Sequence, residues 1–171
     1  MKQVTKTVED INLMNFSWLF LKINKPLVIM IMVSILLPMP LFLKLEVAFL
    51  TVQQFTLISS LLISFMLHEY FHILSFKVLK KKGAVRIEST FLRISIIPLF
   101  HLSNYQIVMM AMMGPLICFT IGLILFMTAS SQLMMYVSYI FLLHIIFLLP
   151  PFGDGMMIIK AYLSSQLKGG E

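Results

Sequence analysis

Between Val47 and Ile159 the chain carries three acidic residues, Glu69, Glu88 and Asp154, and all its basic residues in that stretch fall between Lys77 and Arg93. What remains is long, uncharged and apolar. A bilayer-spanning helix needs about 20 mostly apolar residues, and such runs have no place on the surface of a soluble domain. Charged residues make up 12% of the 171-residue chain and hydrophobic ones 60%, against about 25% charged in soluble domains. This excludes a disordered chain and points to an integral membrane protein of one domain.

Four stretches are expected to span: 27–43, 47–79, 105–128 and 133–150, with a further helix over 156–167. The first is short and interrupted by Pro38 and Pro40. The second contains His68-Glu69-Tyr70-Phe71-His72, and the fourth runs into Pro150-Pro151-Phe152-Gly153-Asp154-Gly155. The net charge of +6 would suit nucleic acid in a soluble protein. In a membrane protein its placement matters more. Lys2, Lys6, Lys22 and Lys25 precede the first span. Lys77, Lys80, Lys81, Lys82, Arg86 and Arg93 separate the second from the third, and Lys160 and Lys168 follow the fourth. These regions alternate onto one side and leave only Lys44 on the other. The positive-inside rule then puts both termini in the cytoplasm of a multi-pass cell-membrane protein, with the lipid bilayer and no nucleic acid as partner.

Residues 1–26 read as a cytoplasmic or interfacial segment. Glu9 and Asp10 lie ahead of the apolar region and no small-residue cleavage site follows, so a signal peptide is not expected. Ile11 to Ile23, with Phe16, Trp18, Phe20 and Lys22, suits an interfacial helix or an aqueous lead-in. Gly83 opens a stretch of period-two alternation, Val85-Arg86-Ile87-Glu88, and Ser89-Thr90 can turn the chain into Phe91 to Ile96. That pattern predicts a short β-hairpin. Lipid-exposed strand edges are not tolerated, so it must be interfacial or re-entrant. The expected fold is an all-α polytopic membrane protein with about four transmembrane helices and this hairpin between the second and third.

The chemistry concentrates at His68 and His72. Positions i and i+4 share one helix face, so both imidazoles can reach one Zn²⁺ while Glu69 projects beside them as a base. At about 1.5 Å per residue His72 and His68 lie roughly 7 and 13 Å inward from Lys77, where ionisable groups are costly and usually functional. A catalytic zinc takes three protein ligands and keeps a position for water. Asp154 is the candidate third ligand, its alternative being a helix cap. His101 and His144 are rivals, His144 reading otherwise as a satisfied buried histidine. Cys118, the chain's single cysteine, reads as a packing residue and excludes a CxxC site. Gly114-Pro115 should break the third span near its middle.

These motifs resemble the site-2 protease family of intramembrane zinc metalloproteases. The match is carried by His68-Glu69-Tyr70-Phe71-His72, by Gly114-Pro115 on the next span, and by Pro150 through Asp154-Gly155 on the one after, over roughly Phe55 to Leu167. The resemblance implies one Zn²⁺ held by His68, His72 and Asp154, with Glu69 as general base. It also implies a membrane-bound protein or peptide substrate, such as a regulator, a remnant signal peptide or a small peptide precursor. The family has a re-entrant β element like Gly83 to Ile97. A substrate held extended along that strand edge would make Val85 and Ile87, with Gly114 and Pro115, substrate-binding residues. Residues 27–171 would then be a single membrane-embedded catalytic domain, a bare core with one extra N-terminal span and no room for a PDZ or CBS domain. The chain departs from the family where Asn is common: Cys118 follows Gly114-Pro115, and Ile146-Phe147-Leu148-Leu149 precedes Pro150. The alternative from a different class is a small non-enzymatic membrane protein, an immunity factor or a transporter subunit, with a vestigial HExxH. An ion-transport site is a third reading.

Overall fold

A segment inside a bilayer must satisfy its backbone hydrogen bonds within itself, and the long uncharged stretches do so as helices. The computed structural model describes residues 2–45, 47–79, 82–89 and 94–168. It is mostly helical, at 74%. In chain order the elements are β1 (Lys2–Thr7), α1 (Leu13–Ile23), α2 (Lys25–Leu36), α3 (Met39–Lys44), α4 (Ala48–Val78), β2 (Ala84–Ser89), β3 (Ile94–Pro98), α5 (Asn104–Met127) and α6 (Gln132–Leu142), then a 3-10 segment (Leu143–Leu148) and α7 (Gly153–Lys168).

Among the described residues, three segments are long and apolar enough to cross a membrane: Phe49–Val78, Asn104–Met127 and Gln132–Leu167. Their outward side chains, Phe49, Val52, Phe55, Leu61, Leu123, Ile124 and Met127 among them, are exposed. So much exposed apolar surface is what a lipid-facing helix presents. The protein is a helical membrane protein. The first expected span, 27–43, is not one straight helix. Leu37 and Pro38 separate α2 from α3, and a fourth span arises only if α1 and Val28–Lys44, bent by 77°, count as one. Pro38 and Pro40 account for the break between α2 and α3, since each removes a backbone donor, whereas the 77° bend lies earlier, between Ile23 and Val28.

The capping chemistry marks where α5 and α6 begin. Ser103 accepts from the Gln106 amide while Gln106 accepts from the Ser103 amide, and Ser131 caps α6 through the Met134 amide. Contrary to the expected break at Gly114-Pro115, α5 continues through Pro115. A single lost backbone bond does not end a helix whose neighbours enclose it.

The largest difference from the sequence reading is at the membrane-proximal end. The expected hairpin is present as β2–β3, with Thr90 to Arg93, its turn and the beginning of its return strand, outside the described residues, as are Lys80 and Lys81. It is part of a three-stranded antiparallel sheet of order β1-β2-β3. The N-terminal residues Lys2–Thr7 supply the first strand. Val4, Ile87 and Ile96 form one row across the sheet. This face packs with Val8, Ile11, Phe16 and Phe20 onto Ile73 and Phe76 of α4. Lys77 reaches over to donate to the Ile11 carbonyl. Arg86 and Glu88 pair with each other, their charged atoms 3.7 Å apart. Phe16, Phe20 and Ile23 are the buried face of α1, and Trp18 lies 72% exposed.

Candidate metal centre

The HExxH spacing places His68 and His72 one turn apart on α4, and the lateral packing of α5 and α7 closes the site around them. The two Nε2 atoms are 3.2 Å apart. Asp154, in the first turn of α7, brings one carboxylate oxygen to 3.0 Å from His68 Nε2 and the other to 3.4 Å from His72 Nε2. Ligands bound tetrahedrally at about 2.0–2.1 Å stand about 3.3 Å from one another. The two imidazole nitrogens and the Asp154 carboxylate, one oxygen toward each ring, are therefore spaced close to what a zinc site requires. Both histidines are buried and the Asp154 side chain is 15% exposed. A carboxylate and two imidazoles this close in an apolar bundle can hold a shared cation, and the donor set is of a type that suits zinc.

Each side chain has a local reason for its position. Pro150 and Pro151 end the preceding helical segment, and Phe152 bonds back to the Leu149 carbonyl. Gly155 follows because a Cβ there would stand 2.1 Å from the Leu149 carbonyl oxygen. Only glycine lets α7 start so close to the turn, and this turns Asp154 toward α4. The helix consequently begins at Gly153, ahead of the expected 156. On the other wall, His72 Nδ1 donates to the Met110 carbonyl at 2.7 Å, which leaves Nε2 to face Asp154. Such a bond from the non-ligating nitrogen is how metal-binding histidines are commonly oriented. Glu69 is half-buried and lies in electrostatic range of His72 and of Cys118 on α5.

Gly114 and Pro115 are both buried. A Cβ on Gly114 would lie 2.8 Å from His72 Cε1 and 2.9 Å from the His68 carbonyl oxygen. Gly114 thus lets α5 lie directly against the two histidines; its observed role is close packing. Cys118 is fully buried one turn on, with its thiol 3.7 Å from the Ser64 carbonyl. Ala111, Gly114, Cys118 and Gly122 are the small buried face of α5. This small-residue stripe is the usual means of close helix packing in membranes, and its spacing of three, four and four residues is readable in the sequence.

The placement of Val85 and Ile87 overturns their assignment to a substrate edge. β2 is the central strand, paired with β1 on one side and β3 on the other. Both side chains are buried in the core, at 0% and 2% exposure. Their backbone has no free edge to offer, because β1, which covers it, comes from the far N-terminus. His101 is exposed and outside the cluster. His144 does reach it. It is 2% exposed, and its ring centroid is 5.4 Å from that of His68. Phe65, Phe141 and Phe147 surround it. This proximity comes from packing of the 3-10 segment and has no local signature beyond a histidine in an uncharged run.

Fold and site together define a helical membrane protein with a buried His-His-Asp donor cluster and an adjacent glutamate. No family model matches the chain, and no curated protein or solved structure matches it either.

Proposed function

We propose that the chain is an intramembrane zinc metalloprotease of the site-2 protease type. It would hydrolyse a peptide bond in or near the transmembrane segment of a membrane-bound protein or peptide. The observation that carries this reading is the spacing of 3.0–3.4 Å among His68, His72 and Asp154, drawn from two helices far apart in sequence, with Glu69 beside them. These three residues would hold one zinc ion per chain. Zinc in such a site supplies Lewis acidity toward a carbonyl and acidifies water near neutral pH.

The protein's own residues do the rest. Glu69 accepts the proton of the attacking water and delivers it to the departing amine nitrogen. Phe147, whose ring centroid lies 5.1 Å from that of His68, keeps bulk water from that side of the donors and strengthens the electrostatics among them. A helical substrate hides its carbonyls in hydrogen bonds and must unwind locally before it can be cut. With β2 paired on both sides, the unwound segment would add to the outer edge of β3. The topology that accompanies this reading has four spans, α1 to α3 forming the first, and both termini in the cytoplasm, from the one-sided Lys and Arg distribution.

The test is zinc content of the purified chain beside its His68→Ala and Asp154→Ala variants. One zinc per chain, lost in both, is the expected result. No zinc in the wild type would favour a non-enzymatic membrane protein. Zinc retained by Asp154→Ala would remove the carboxylate from the site.

A further inference from the structure

Among the described residues, two buried imidazole nitrogens have no hydrogen-bond partner: His68 Nδ1 and His144 Nε2. Their rings are neighbours, with centroids 5.4 Å apart and planes at 47°. One nitrogen of each ring and the Cys118 Sγ lie within 4.8 Å of one another. An unmet polar atom in an apolar interior is expensive, and two on neighbouring rings are most simply a pair separated by a small rotation.

Their chemistry is complementary. His144 Nδ1 lies 3.0 Å from the Ile140 carbonyl oxygen. A carbonyl only accepts, so the proton of the neutral ring is on Nδ1 and Nε2 carries the lone pair. His68 presents Nε2 to Asp154 and to the donor cluster. When Nε2 serves a metal, the proton of the neutral ring must be on Nδ1. His68 then has a donor without an acceptor, and His144 an acceptor without a donor. The other ligating histidine already shows the equivalent contact, His72 Nδ1 to the Met110 carbonyl at 2.7 Å.

We propose that His144 is a positioning residue for the metal centre: its Nε2 accepts the Nδ1–H of His68 and sets that ring's tautomer and rotation. This rests on the zinc-site reading above. His144 does not touch metal or substrate. It acts through His68, as outer partners of ligating histidines do, and loss of such a partner typically costs about 10–100-fold in metal affinity.

Asparagine and glutamine variants separate this role from packing. The amide of asparagine can reproduce the Nδ1 contact with Ile140 but is too short to reach the Nε2 position. Glutamine places a polar atom at Nε2. Zinc affinity would be measured by chelator competition on the full purified chain, together with the melting temperature of the metal-free protein. His144→Asn should raise the zinc Kd about 10–100-fold without a comparable fall in metal-free stability, and His144→Gln should recover most of the loss. His144→Phe, which keeps the aromatic packing, should behave like the asparagine variant. Wild-type affinity in both the Asn and Phe variants would overturn the proposal. So would an equal loss in all three that follows metal-free stability. Two zinc ions per wild-type chain, with one lost on Cys118→Ser and on His144→Asn, would make His144 a ligand and overturn it as well. A wild type without zinc would refute the metal-site reading itself and this inference with it, whereas unchanged variants of a zinc-binding wild type refute only the inference.

Discussion

Substituting Gly114 with alanine adds one methyl group where α5 meets both histidines, and its effect can be worked from the structure. The new Cβ would lie 2.8 Å from His72 Cε1, 2.9 Å from His72 Nε2 and 2.9 Å from the His68 carbonyl oxygen. Ordinary contact begins at about 3.4–3.5 Å, so about 0.5 Å must be recovered. The His68 carbonyl belongs to the backbone of α4 and cannot swing aside. The His72 ring is held by the Met110 carbonyl, one turn earlier on α5 itself, so moving α5 away pulls the ring with it. A zinc site tolerates displacements of about 0.2 Å, less than half of what is needed. Overpacking costs about 1–3 kcal/mol, and if it falls wholly on the bound geometry the zinc Kd rises about 5- to 150-fold. The fold itself should suffer less, since alanine is worth about 1 kcal/mol more than glycine within a helix. The expected signature is weaker zinc binding in chelator competition, with a metal-free melting temperature close to that of the wild type. Zinc bound within twofold of wild-type affinity by a folded Gly114→Ala chain would refute the claim that this contact sets the donor geometry.

Further outcomes follow from the same structure. Glu69→Gln should keep one zinc per chain and lose cleavage of a membrane peptide by about 10²–10⁴-fold, because the amide keeps the shape but takes no proton; a fully active variant would remove Glu69 as the base. Ile87→Ala should lower stability by about 2–5 kcal/mol as a core truncation and leave zinc binding intact; unchanged stability with a raised KM would return Ile87 to the substrate. Reporter fusions at Lys44 and Ser131 should read as outside and those at Lys82 and the C-terminus as inside; a cytoplasmic signal at Ser131 would put the HExxH and Asp154 motifs at opposite ends of the bundle.

What the sequence determined by itself is whatever a bilayer and a helix decide locally. Uncharged runs have no option but helix, so α5 was legible almost to the residue, as 105–128 against Asn104–Met127. The four-residue spacing of His68 and His72 puts them on one face in any helix. A lone acid among apolar residues needs a partner, which singled out Asp154 before its neighbours were known. Tertiary structure decided the rest, because it depends on elements that meet from a distance. Val85 and Ile87 alternate as any edge strand does; only the pairing of β1 with β2 makes that strand central and buries them. β1 has no strand signal of its own: Val4, Thr5 and Thr7 alternate with Lys2 and Lys6 only weakly and form a strand when β2 is present to pair with them. Gly114-Pro115 announces a special backbone, but that the glycine lies against His72 is a property of how α5 packs on α4. The approach of His144 to His68 has no sequence signal at all. It follows from the packing of α6 on α4 and of the 3-10 segment on α5, which brings the two rings together only when all of these elements are in place.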